Sequence, residues 1–176
     1  MAATSADFER YVGLRGPLKR AHGPLERDAL RRFVQAIMDK DPLHHDLDMA
    51  LAGPYGELVA PPLYPVHAFR NPAHGPDPLR SVQEDPDADG TFGNDGVYFG
   101  LEPIASPFKR LLNGGNDIEF FRCLAVGEWC TAQARYANVL LKEGKNGQIL
   151  LVDIETEFRV DGADLLLINR QTLIWR

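Results

Sequence analysis

Between Gln148 and Val160 the chain alternates with a period of two. Leu150, Val152, Ile154, Phe158 and Val160 fall on one side and Asp153, Glu155, Glu157 and Arg159 on the other. That is the pattern of a strand with one buried and one wetted face. Trp129 to Leu141 predicts a long strand before it, joined through the hairpin connection Lys142-Glu143-Gly144-Lys145-Asn146-Gly147. Asp161-Gly162 is a strong hairpin signal and leads into a last strand over Ala163 to Trp175. A shorter strand from Asp117 to Phe121, turned by Gly127-Glu128, precedes the set, so the last third predicts an antiparallel meander.

The first third has a different period. Behind Pro24, residues Leu25 to Met38 place Leu30, Phe33, Val34, Ile37 and Met38 at helical spacing, with Glu26 and Asp28 in the first turn, where acids suit the helix dipole. Residues 8 to 22 predict a short helix or turn and then an extended strand. Gly53-Pro54 marks a loop, and Leu58 to Phe69 predicts a second, well-buried helix whose Pro61, Pro62 and Pro65 sit near its start, where amides lack internal partners. Residues 70 to 116 lose periodicity and read as one long irregular loop, in which Ser106 to Leu112 forms a helical turn closed by Gly114-Gly115. One sheet face needs cover, and the helices before it are the available elements. The architecture predicted is α+β, a single domain over residues 1–176.

Charge and composition narrow the function. With 176 residues, 44% of them hydrophobic, and a net charge of -6, the chain reads as a soluble domain with no basic face for nucleic acid. No run of apolar residues is long enough for a membrane span, and the first residues lack the pattern of a signal peptide, so a cytoplasmic location is expected. Cys123 and Cys130 are too few for a disulfide framework or a metal knuckle and read as buried thiols.

Candidate chemistry concentrates in Met38-Asp39-Lys40-Asp41-Pro42-Leu43-His44-His45-Asp46. Acids at the C-terminal end of a helix run against the dipole, and departures from local rules are more frequent at functional sites than elsewhere. An isolated Asp and His five positions apart would more often be a polar turn. Asp85 to Gly90 resembles the start of a calcium loop, but Gly96 stands where its bidentate Glu belongs. His67 on an apolar helix face reads as a core histidine, and His22 and His74 carry no signal. No metal site and no cofactor are expected. Neither a nucleophilic serine or cysteine nor a phosphate loop is evident.

The segments together resemble the MaoC-like hydratase/dehydratase family, in particular its N-terminal, FAS1-like dehydratase domain type, which has a hot-dog fold. That family's motif, Asp-x-Asn-Pro-x-His-x-Asp after an amphipathic helix, is matched at Asp39, Pro42, His44 and Asp46. Glu57-Leu58-Val59-Ala60-Pro61-Pro62, Asn113 to Phe121, Val126-Gly127-Glu128 and Lys142 to Gly147 resemble the family's marks in the same order, across roughly residues 20 to 176. The resemblance implies a curled antiparallel sheet wrapped around a central helix.

It also implies an activity, the reversible (R)-specific addition of water to a trans-2-enoyl thioester, usually of coenzyme A. Asp39 and His44 would hold the water and move its protons, and Ala60, Pro61, Pro62 and Leu63 would line the thioester, with its carbonyl at the start of the 61–69 helix. Asp41 stands where the family has Asn. Pro61 and Pro62 stand where the hydratase branch has His-Gly, and proline has no N–H. Two readings therefore stay open, an enoyl-CoA hydratase or 3-hydroxyacyl-CoA dehydratase, and a non-catalytic subunit that shapes the acyl pocket of a partner. Either implies an acyl-CoA thioester as ligand and a homodimer or a heterodimer with another hot-dog subunit.

Overall fold

A computed structural model describes residues 4–69, 80, 84, 99–108, 110–144 and 147–176. The elements run α1 (Ala6–Glu9), β1 (Lys19–Arg20), α2 (Arg27–Ile37), a 3-10 helix (Pro42–His44), α3 (Leu47–Ala52), α4 (Tyr64–His67), β2 (Leu111–Phe120), β3 (Cys130–Gly144), β4 (Gly147–Val160) and β5 (Leu165–Trp175). The strands form one antiparallel sheet in the order β1-β3-β4-β5-β2.

The β3-β4-β5 meander is present as the alternation predicts, and Asp161 and Gly162 both take positive φ in the tight turn between β4 and β5. The expected order fails at β2. It does not neighbour β3 but crosses to the far edge and pairs with β5 from Leu111↔Trp175 to Phe120↔Leu167. β2 also begins earlier than expected, because Leu111 and Leu112 pair in register with β5 and Gly114-Gly115 lies at a bulge inside the strand. The helical turn expected at Ser106 to Leu112 is accordingly absent from the described residues there. Its glycines supply the positive φ and lack of Cβ that a bulge needs, at Gly115 and Gly114 respectively. Most of the expected loop, including the calcium-like Asp85 to Gly90, His74 and Gly96, lies outside the described residues.

The apolar side of β3, β4 and β5 is covered in two patches. Leu30, Phe33 and Val34 of α2 pack with Tyr64, Leu124, Phe158, Leu166 and Leu167, while Phe8, Tyr11, Leu101 and Ile104 pack with Tyr136, Leu150, Val152 and Ile154. α2 thus buries the stripe its spacing predicts, but only as far as Val34. Ile37 is half-exposed and Met38 is 82% exposed, because the chain leaves the helix through Met38 in a left-handed conformation (φ 56°). α4 is also shorter than the expected helix: four residues are helical, with Tyr64 and Pro65 buried and Val66 and His67 exposed. His67 is therefore no core histidine; its ring tilts against Phe33 with centroids 4.8 Å apart. Cys123 and Cys130 are buried free thiols, and burial pushes Cys130 up to about 12. No helix among the described residues is long and apolar enough to cross a membrane.

Candidate active site

Two of the three acids of residues 39–46, Asp41 and Asp46, begin elements rather than end one. Asp41 is the N-cap of the 3-10 helix and its carboxylate accepts the Leu43 N–H at 3.0 Å. Asp46 is the N-cap of α3 and accepts the Asp48 and Met49 N–H groups at 3.0 and 3.1 Å. Both positions favour Asp and Asn about equally. They obey a local rule instead of breaking one, and the replacement of Asn by Asp41 is explained, since the cap uses only an acceptor.

Asp39 is different. Its backbone N–H closes the end of α2 on Val34 O at 3.1 Å, and one carboxylate oxygen accepts the Asp41 N–H at 3.0 Å. The other oxygen, Oδ2, lies 4.0 Å from Nε2 of His44. Asp39 remains 30% exposed at its side chain, whereas His44 as a residue is only 6% exposed. The His44 ring is fixed from behind by Nδ1, 2.9 Å from Val59 O. A carbonyl oxygen can only accept, so Nδ1 carries the hydrogen; in the neutral ring the lone pair is then on Nε2, the nitrogen that faces Asp39. The gap between Nε2 and Oδ2 is too long for a direct hydrogen bond and short enough for one water to bond both.

Val59 is held in turn by an antiparallel bridge to Ala125, flanked by Ala60 N–H to Leu124 O at 2.8 Å and Val126 N–H to Leu58 O at 3.1 Å. The segment that supports His44 therefore runs directly into Ala60, Pro61, Pro62 and Leu63. Ala60 and Pro61 are buried, Pro62 and Leu63 exposed. The Ala60 amide is spent on Leu124 and the prolines have none, so among these four residues Leu63 keeps the one N–H with no acceptor among the described residues. A thioester carbonyl at the start of a long helix dipole has no counterpart here, because α4 is a single turn.

Beside His44 lies a cavity of about 300 Å³ lined by Arg27, Asp28, Arg31, His44, His45 and Leu58. Hydrogen bonds from Arg31 and the nearby Arg32 hold the Asp28 carboxyl below its ordinary value, although burial opposes this. Among the described residues no cluster of three or more His, Cys, Asp or Glu is placed to hold a metal ion. The sequence reading missed Val59, whose contribution is a backbone carbonyl and leaves no side-chain signature. Glu128, expected only as part of a turn and of a family mark, has a carboxylate that accepts the Ala125 N–H at 2.8 Å.

A model of the FAS1-like dehydratase domain region matches residues 16–166. The chain belongs to that family. A "UPF0336 protein" from Saccharopolyspora erythraea is 34% identical over 148 residues, 84% of this chain and 80% of that protein. Among solved structures, a chain of the ChsH1-ChsH2 complex from Mycobacterium tuberculosis superposes with a TM-score of 0.65 at 18% identity, covering 91% of this chain and 83% of that one. A MaoC-like dehydratase from Rhodospirillum rubrum gives 0.61 at 14% identity, covering 99% and 98%. At these identities the structural likeness speaks for the fold, which is the hot dog of MaoC-like hydratases. Members of this group are hydratases and dehydratases.

Proposed function

We propose that this FAS1-like dehydratase domain is a hydro-lyase acting on a trans-2-enoyl thioester, with Asp39 and His44 as its acid/base pair. The observation that carries this reading is the buried His44, its Nδ1–H committed to Val59 O and its Nε2 facing Asp39 Oδ2 across 4.0 Å. A water held between them gives a proton to Nε2 while its oxygen bonds the β-carbon and the C=C π pair moves toward the thioester carbonyl. The imidazolium formed, stabilised by the Asp39 carboxylate, then returns the proton to the α-carbon. Run backwards, Nε2 takes the α-proton and delivers it to the departing hydroxyl. The Leu63 N–H is the donor available to the developing enolate oxygen, and Arg27 offers a cation to phosphates of a coenzyme A arm in the adjoining cavity.

A second reading is a non-catalytic subunit that shapes the acyl pocket of a partner hot dog. The absence of N–H groups at Pro61 and Pro62 favours it, because a hydratase loses rate steeply with each lost oxyanion donor. The β2 edge, which pairs with no strand beyond β5 among the described residues and ends in the half-exposed Phe120, suits a second hot-dog subunit in either reading, as a homodimer or a heterodimer.

Hydration of crotonyl-CoA and bulkier enoyl-CoAs by the purified chain decides between them. Turnover that falls by about 100-fold or more in His44→Ala and Asp39→Asn supports the pair; turnover that survives in His44→Ala removes it. A chain inert alone but active with a second hot-dog subunit, and equally active there as His44→Ala, establishes the second reading.

A further inference from the structure

Residues 122–128 form a clasp built around one carboxylate. Oε2 of Glu128 accepts the Ala125 N–H at 2.8 Å and Nη1 of Arg122 at 2.9 Å, and Oε1 meets Nη2 of the same guanidinium. Arg122 also donates from Nη1 to Cys123 O at 3.1 Å, and the Glu128 N–H returns to Ala125 O at 3.1 Å. The loop is thereby closed on itself by its own side chains.

The clasp's outer edge is what grips residues 58–60. Leu124 O and Val126 N–H bond Ala60 N–H and Leu58 O. Successive peptide groups of an extended chain point to opposite sides, so the two bonds that tie residues 58 and 60 to the clasp turn the Val59 carbonyl the other way. That is the side on which His44 donates to it at 2.9 Å. Val59, Cys123 and Ala125 also pack together as a separate small core. Both Glu128 and Arg122 are partly exposed, at 25% and 32% of their side chains, so as an ion pair they add little to global stability. Their geometric consequence lies in where the Val59 carbonyl is held.

We infer that Glu128, fixed by Arg122, is a positioning residue for the His44 imidazole, setting its tautomer and orientation through the backbone of 124–126 and 58–60 without touching the ring. Its kinetic consequence rests on the hydro-lyase reading; its structural consequence does not. The test reads both in the full chain. Two-bond ¹H–¹⁵N correlation spectra of His44 are recorded for the wild type, Glu128→Ala, Glu128→Gln, Arg122→Gln and, as a control, Glu155→Gln, which breaks a different ion-pair network on the sheet. The wild type is expected as the single Nδ1–H tautomer. Glu128→Ala is expected to mix in the Nε2–H form, Arg122→Gln to do so to a smaller extent, and Glu128→Gln to restore the wild-type signals because its amide oxygen can still accept the Ala125 N–H.

In turnover, Glu128→Ala is expected to lower kcat by about tenfold to 100-fold with KM within about twofold, the usual scale for a lost orienting contact. If Glu128→Ala does not fold, Arg122→Gln carries the test. A wild-type tautomer in the folded variants overturns the inference, as does a Glu155→Gln spectrum perturbed as much as theirs. A wild type without turnover speaks against the hydro-lyase reading, and the spectra still decide the positioning role.

Discussion

The sheet and the segment from Met38 to Ala68 are held together by different means. β4 and β5 are paired along nearly their whole length on both sides, β3 along its whole length with β4, and alternate side chains are buried against α2 and the N-terminal residues. Between Met38 and Ala68 no stretch of regular structure exceeds six residues. The amides of Asp41, Leu43, Asp48 and Met49 are met by the carboxylates of Asp39, Asp41 and Asp46, and besides the packing of Ala50, Leu58, Ala60 and Tyr64 into the core, the segment is tied to the strand side by bonds to residues 124 and 126. Stability in the first region comes from area and repetition; order in the second comes from a few directed polar contacts. The proposed acid/base pair, Asp39 and His44, lies in the second, which is seated on the first.

Removing the shared core should break that arrangement most severely. Phe158 is fully buried on β4, at 5.5 Å from the Phe99 ring and 5.9 Å from that of Phe69, within the cluster that α2 covers. Phe158→Ala is expected to cost about 3–5 kcal/mol in urea unfolding. The His44 signals should then be lost together with the sheet. Unfolding of residues 38–68 at lower urea than the sheet would mean that the two regions are not one cooperative unit.

This division also explains what the sequence made legible. Alternation in Gln148 to Val160 and the Asp161-Gly162 turn located β4, β5 and their hairpin to within a few residues, because burial on one face imposes the period that is read. Pairing partners leave no such trace: Leu111 to Phe120, rich in Asn, Gly and Asp, carries no mark that names β5 rather than β3 as its neighbour. At the site, the Asp39 and His44 pair was visible through the motif. The roles of Asp41 and Asp46 could have been read as caps, each standing directly before a short apolar helix. The Val59 carbonyl could not, since every residue except for its side chain offers the same group.

A smaller effect separates the outer sheet face from the site. Glu155 accepts from Arg135 at 2.9 Å and from Arg170 at 3.0 Å. Burial alone would raise its carboxyl, but the hydrogen bonds and charges of the two arginines outweigh it and hold it below the ordinary value. A depressed folded-state value stabilises the protein above the unfolded value and is lost as pH falls through the folded one. Stability should therefore decline below the ordinary glutamate value of about 4.3. Urea midpoints measured from pH 6 to pH 3 should fall less steeply in Glu155→Gln than in the wild type. Equal slopes would mean that the network is not part of the acid response.

The smallest effect falls where the two regions meet. Met38 closes α2 with φ 56°, a conformation in which a side chain is strained and glycine is not, yet the residue is 82% exposed. Met38→Gly removes the strain at the expense of a more flexible unfolded chain, and the balance at such helix ends favours glycine by about 0.5–1 kcal/mol. A rise in the urea midpoint is the expected outcome. Because the next residue is Asp39, turnover measured alongside tells what the thioether is for. A stabilised variant with unchanged turnover makes Met38 a neutral occupant of the cap. A stabilised variant with a raised KM makes it an apolar contact for the acyl thioester, retained beside the acid/base pair against the preference of the helix end.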